Sequence, residues 1–452
     1  MPLNIYFNFF LDLKKIIILF IFICLSLIID TSLGTIADFM SEFIVSLKGI
    51  FIFIFISSIT IGSIFLLQNL IDKDVHKIII KSKYLSYISI FTKVVNYILI
   101  ANLVIVILSV LIFSTYSIIN LLITNNIMAI IGFILISILS LKFIWWFRSD
   151  RTSIIILIYG VSFFLFSLSF FFGYFSENLI LLNKPLFINP SMEVIFPILD
   201  DDPFEIFYYY YNYLITLSLI MLLLGSYILL NNYVRKAFRP QLIFYLSLSF
   251  ILFILANLQT FNIIEIPNSD QSLMLYYIFQ SLSTTTSGIF IGYSFWKVSN
   301  FLGTDNPIKK YLIMTSMGLI LIFIIIQGTI IITPFPPFGL PSLSFVIIAI
   351  YLFNFGFYAT ALSLAHDIKL RETIRINTKR NINLLGSIGK AQMTSELAQA
   401  VNDVKELVEK EEKELEKETG IETSLSEEII QDYMEEVLEE ISQSKKRQTE
   451  SN

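Results

Sequence analysis

Apolar residues in this chain come in long unbroken stretches, not at the period of an amphipathic helix or strand. The run from Ile16 to Ile29, for example, carries no charge and is then stopped by Asp30. A bilayer core of roughly 30 Å needs about 20 consecutive apolar residues per helix, because backbone groups left unpaired in lipid are costly. Ten stretches meet that need: 15–37, 49–71, 94–116, 127–147, 152–175, 206–230, 242–264, 272–296, 311–333 and 343–365. The first reads as a retained helix, since no small-x-small cleavage site leads into a soluble segment and the chain runs straight to another span.

Positive charge in the connecting segments alternates. One set holds Lys14, Lys15, Lys73, Lys77, Lys81, Lys83, Arg148, Arg151, Arg235, Lys236, Arg239, Lys297, Lys309 and Lys310, while the opposite set holds only Lys48 and Lys184 among ten acids. Because Lys and Arg are retained on the cytoplasmic side, both termini are expected in the cytoplasm, as an even number of spans requires. Trp145, Trp146 and Trp296 fall at cytoplasmic span ends and Tyr208–Tyr211 at an outer end, where interfacial aromatics are expected. Two outer segments stand out. Residues 176–205 carry four prolines and several acids and predict a small external cap or lid, whereas 334–342 is uncharged and proline-stiffened and predicts a rigid turn in the interface.

Composition agrees with a membrane body. Of 452 residues, 56% are hydrophobic and 15% charged, which excludes an ordinary soluble chain. The formal charge of −5 divides unevenly, with residues 1–365 near +2 and residues 366–452 near −7. One cysteine, Cys24, excludes an intramolecular disulfide and a multi-cysteine metal site. No Arg-rich face suits a nucleic acid, and no cofactor motif is present. His76 and His366 have no second histidine or cysteine beside them, and Asp200, Asp201, Asp202 and Glu205 lack the spacing of a calcium hand, so no metal site is expected.

From residue 366 the chain becomes a charged helix former. Leu397, Val401, Val404, Val408 and Leu415 follow a heptad seam, and Gly420, Ser424 and Glu427 mark a cap before a second apolar stripe from Ile429 to Ile441. Residues 366–441 therefore read as a cytoplasmic helical tail, a coiled-coil hairpin able to self-associate or hold a cytoplasmic partner through 397–441, and 442–452 as disordered. Gly386 and Gly389 suggest a hinge. Lys369, Arg371, Arg375, Lys379 and Arg380 form a cluster just past the membrane, suited to anionic lipid head groups at about 1 kcal/mol per charge.

Ionisable residues at membrane depth usually mark an ion path. Here only Asp30, Lys93 and Lys142 qualify, each within a turn or two of a span end, and snorkelling explains the lysines. Neutral polar residues concentrate in the later spans. Asn257, Gln259, Thr260, Gln280, Thr284, Gln327 and Asn354 are candidates to line a pocket for a small polar or aromatic molecule. The commoner use of such residues is interhelical hydrogen bonding. Ser281, Gly288 and Gly292 form, with Thr284, a small-residue ridge for close helix packing.

The exit segment from Asp367 to Arg375, then Leu384-Leu385, Ser387-Ile388-Gly389, Ala391, Met393 and Glu396, and the helix from Thr419 to Glu439 together resemble tails of multispanning membrane proteins of ammonia-oxidising archaea. The resemblance covers about a quarter of the chain and implies an archaeal plasma-membrane protein with no assigned activity. In layout, late spans with a basic exit and a coiled coil are similar to the sensor regions of prokaryotic signalling proteins. No kinase, cyclase or methyl-accepting domain follows, so sensing requires a separate partner.

The sequence thus predicts an all-α polytopic membrane protein with about ten transmembrane helices, 1–365, and a cytoplasmic helical tail. The expected function is a non-enzymatic membrane sensor or scaffold. A transporter for a small neutral or hydrophobic solute is the alternative, weakened by the absence of a central carboxylate and of internal similarity between the two halves.

Overall fold

The computed structural model describes residues 3–36, 41–78, 83–149, 151, 153–190, 202–233, 244–245, 247–252, 254–255, 270–301, 307–326, 334–366, 384–396 and 410. The fold is all-α. In chain order the helices are α1 (Leu3–Thr35), α2 (Ser41–Val45), α3 (Leu47–Ile78), α4 (Lys83–Phe113), α5 (Ile118–Ser149), α6 (Ile154–Leu182), α7 (Asp202–Tyr233), α8 (Asp270–Phe301), α9 (Pro307–Ile325), α10 (Leu340–His366) and α11 (384–396). Two short strands, β1 (Tyr116–Ser117) and β2 (Phe187–Ile188), pair antiparallel with Tyr116 opposite Ile188.

Among the described residues eight helices are long and apolar enough to cross a bilayer, in α1, α3, α4, α5, α6, α7, α9 and α10, so the chain is a multi-pass membrane protein. They match eight of the ten expected spans. The expected span 242–264 is described only in part, and its described residues are helical. The expected span 272–296 lies in α8, which is long enough but is not among the eight, because its Ser281–Ser287 run is polar. Tail residues 397–452, apart from 410, lie outside the described residues, as do Lys369, Arg371, Arg375, Lys379 and Arg380.

The chain divides into two units, Met1–Gly389 and Lys390–Asn452. Within the first, α10 is the axis: 94% of its apolar window is buried, against 39% in α1 and in α3. It packs on α9, α5, α4, α3 and α1. Glycines permit the closest of these approaches. A Cβ at Gly318 would sit 2.5 Å from the Phe353 nitrogen, and one at Gly356 would sit 2.6 Å from the Tyr311 carbonyl oxygen, so α9 and α10 meet backbone to backbone. The expected ridge on α8 serves the same purpose. A Cβ at Gly288 would overlap Phe323, one at Gly292 would overlap Ile320, and the Ser316 hydroxyl donates to the Gly292 carbonyl at 2.6 Å. Gly389 lies within α11 and faces Leu364 so closely that a Cβ would come within 2.8 Å.

The proline-rich turn, residues 334–342, is buried by the surrounding helices. Phe338 packs edge-on against Phe53, Phe335 stacks on Tyr116, and Gly339 adopts φ 90°, a conformation that disfavours any side chain. Asp30 explains how the turn is held. Its carboxylate accepts hydrogen bonds from the Gly339 nitrogen at 3.1 Å, the Ser342 nitrogen at 2.9 Å and the Ser342 hydroxyl at 2.5 Å. Asp30 of α1 therefore does for α10 what a local N-cap side chain does, satisfying orphan donors at the positive end of the helix dipole. On the other side the buried Tyr116 hydroxyl donates to the Pro334 carbonyl at 2.9 Å. Burial holds the Tyr116 phenol well above its ordinary pKa.

Asp30→Ala removes three accepted hydrogen bonds from a dry site and is expected to cost about 3 kcal/mol or more, with Asp30→Asn costing less because one acceptor oxygen survives. Thermal unfolding in detergent ranks the three proteins, and equal midpoints for Asp30→Ala and wild type would refute the cap. Tyr116 yields a second expectation. A phenol whose neutral form is favoured by the fold lends stability that is fully present below its unfolded pKa of about 10 and is lost as pH rises beyond it. Tyr116→Phe should therefore lose less stability than wild type between about pH 9 and pH 11, as read by denaturant midpoints at each pH.

Candidate functional site

The apolar windows understate the helices. At 32 residues α5 extends about 48 Å, well beyond the hydrocarbon core, and α6 has 29 residues. Residues expected in loops are consequently helical: Asn125 and Asn126 in the second turn of α5, Glu177 and Asn178 in the last turns of α6. Pairing of β1 with β2 draws these two helix ends together, and the Ile118 nitrogen adds a hydrogen bond to the Leu186 carbonyl at 3.0 Å. The predicted cap over 176–205 thus begins as two more turns of helix and one strand pair, and 191–201 lies outside the described residues.

A chain of amides crosses the α5–α6 contact. Asn125 Nδ2 donates to Asn178 Oδ1 at 3.4 Å, and Asn178 Nδ2 donates to Asn126 Oδ1 at 2.9 Å. The Asn125 amide also faces the Glu177 carboxylate. Asn125 is fully buried, and its carbonyl oxygen has no hydrogen-bond partner. Glu177 is half-buried, and no described lysine or arginine pairs with it. Both side chains line a cavity of about 30 Å³, room for about two waters or one ion. Its walls come from α5 through Met128 and Ala129, α6 through Ser169, Phe170, Gly173 and Tyr174, α7 through Tyr211, and α10 through Leu343 and Val346. Gly173 leaves space for the Tyr211 ring, which a Cβ there would meet at 3.1 Å. Asp30 lies at the same end of the bundle, since it caps the turn of α10 that precedes Leu343.

A second polar group lies toward the opposite end, between α3 and α4. Asp72 pairs with Lys93 at 2.8 Å, Gln68 reaches Asp72 at 3.4 Å, and Asn96 donates to Gln68 at 3.0 Å. Lys93 is therefore an ion-pair partner and not only a snorkelling lysine. Farther into the bundle the buried oxygens of Ser57, Thr60, Thr92 and Asn96, and the Tyr351 hydroxyl facing Ser89, have no hydrogen-bond partner. Lys142 lies over the rings of Trp145 and Tyr358, at 5.4 and 5.8 Å. Trp146, expected at the interface, is fully buried against Phe143.

Of the residues singled out from sequence as pocket-lining, Asn354 and Thr284 have described side chains, and these lie at neither place. Asn354 donates to the Leu135 carbonyl at 3.3 Å and joins α10 to α5, the interhelical use that its class predicts. Thr284 is buried in α8. Gln280 and Ser281 belong to the same helix, but their side chains lie outside the described residues, as do Asn257, Gln259, Thr260 and Gln327 entirely. What sequence reasoning missed was Asn125, Asn126, Glu177 and Asn178. The available signal was the matching of two polar pairs at the facing ends of neighbouring helices, hidden by ending each helix where its apolar window ended. Among the described residues no group of three metal-binding side chains occurs. No protein-family model, curated protein or solved structure matches the chain.

The amide chain should be measurable as a coupling. Asn178→Ala and Asn126→Ala are each expected to lower stability by about 1–3 kcal/mol, and the double variant by clearly less than the sum, because both remove one shared hydrogen bond. A thermal-unfolding double-mutant cycle reads this, and strict additivity would count against it.

Proposed function

We propose that the protein is a non-enzymatic membrane sensor or scaffold in which occupancy of the Asn125–Glu177 cavity biases α10 and, through it, the segment that follows. The observation that supports this reading is the position of α10. Its first turns line the cavity through Leu343 and Val346, its N-terminus is held by Asp30, and its far end at His366 leads to the tail. A helix buried along its whole length cannot shift at one end without repacking its neighbours, so two discrete arrangements are the expected response. In this reading the cavity end faces the outside and the tail lies in the cytoplasm, as the lysine and arginine distribution supports. The resemblance of the exit segment and tail makes an archaeal plasma membrane the proposed host, and residues 397–441 the proposed contact for a partner or a second copy.

A second reading, transport of a small neutral or hydrophobic solute, draws on the unpartnered hydroxyls between α3, α4 and α10. Five buried polar oxygens without partners suit a hydrated path better than a dry packing seam. Hydrogen exchange in nanodiscs separates the two. Sensing predicts that Glu177→Gln alters amide protection at residues 384–389, beyond the far end of α10. Unaltered protection there, together with solute uptake into proteoliposomes that survives deletion of 366–452, would replace sensing with transport.

A further inference from the structure

The Asn125–Glu177 cavity has the makings of a particular kind of site. Two acceptors line it: the Glu177 carboxylate, which the Asn125 amide faces and no described cation neutralises, and the Asn125 carbonyl, fully buried and unpartnered. The Asn178–Asn126 bond leaves Asn178 Oδ1 to accept from the Asn125 NH₂ group, so the Asn125 carbonyl is the end without a partner. The cavity thus holds a carboxylate with no described counter-charge beside a buried amide oxygen with no partner, in a place where unpaired polar oxygens are costly.

From this geometry we infer that the cavity binds a small monovalent metal cation, held by the Glu177 carboxylate, the Asn125 carbonyl and water. Hard cations take oxygen ligands of this kind. Charge sets the valence. One carboxylate cancels one positive charge, whereas a divalent ion would leave a net charge buried among apolar walls, an arrangement that normally needs further carboxylates. Size points the same way, because about 30 Å³ admits an ion with one water and no organic cation of any bulk. The inference deepens the sensing reading by naming what the cavity takes, and rests on that reading only for its consequence at the tail.

The test uses the full chain purified in detergent, with thermal unfolding followed in choline chloride as sodium or potassium chloride replaces it at constant ionic strength. Wild type should show a saturable rise in midpoint with at least one of the two ions. Glu177→Gln should lose the rise, and Glu177→Asp, which keeps the charge on a shorter arm, should raise the half-saturating concentration by roughly 10-fold or more. Asp72→Asn, a carboxylate change at the other polar group, should retain the rise. Each variant is compared with itself in choline, so a general loss of stability does not mimic loss of binding, and direct binding of radioactive sodium to wild type and Glu177→Gln gives a readout independent of unfolding. No saturable response to either ion in wild type, or the same response in Glu177→Gln, would overturn the site. Failure of tail coupling in hydrogen exchange would leave the binding result intact, and the reverse holds equally.

Discussion

The carboxylate of Asp30 sits in an apolar bundle and is held by three donors from the opposite end of the chain, 309 to 312 residues away. Inside a membrane protein such a group has no solvent to fall back on, so its partners must be supplied by the fold. The donors are equally dependent, since the first amides of α10 have no partners within their own helix. Each side resolves the other's deficit. The proline-rich turn can then be buried among the helices, and α10 can enter the bundle in a defined register.

Much follows from that register. With its N-terminus fixed, α10 presents Gly356 to Tyr311 and Thr315 of α9, and it presents Asn354 to the Leu135 carbonyl of α5. It also presents Leu343 and Val346 to the cavity at the ends of α5 and α6. Packing without a hydrophobic driving force relies on close backbone approach and interhelical hydrogen bonds, and both are concentrated on this helix.

Two polar groups in this bundle differ in their chemistry. Around Asn125 and Glu177 the amides are paired with one another and leave acceptor oxygens lining a cavity, an arrangement suited to a cation. Between α3 and α4 the charged groups are paired, Asp72 with Lys93, while the hydroxyls deeper in the bundle lack partners. The first group lies where several helices end together, and the second follows one face of α3, from Ser57 through Gln68 to Asp72.

Sequence alone determined the membrane class, the positions of eight spans and the asymmetry of positive charge, because transfer of a residue into lipid depends on that residue and its near neighbours. It also marked the small-residue ridge at Gly288 and Gly292, since a four-residue spacing is a local property. It failed where length and partner choice mattered. An apolar window measures the bilayer and not the helix, so Asn125 and Glu177 were assigned to loops although both are helical. Asp30 was legible as an intramembrane acid, yet its role depended on Gly339 and Ser342, whose proximity no local pattern encodes. Tertiary structure decided those meetings, because which donor reaches which acceptor is settled by the packing of the whole chain and not by the preference of any segment.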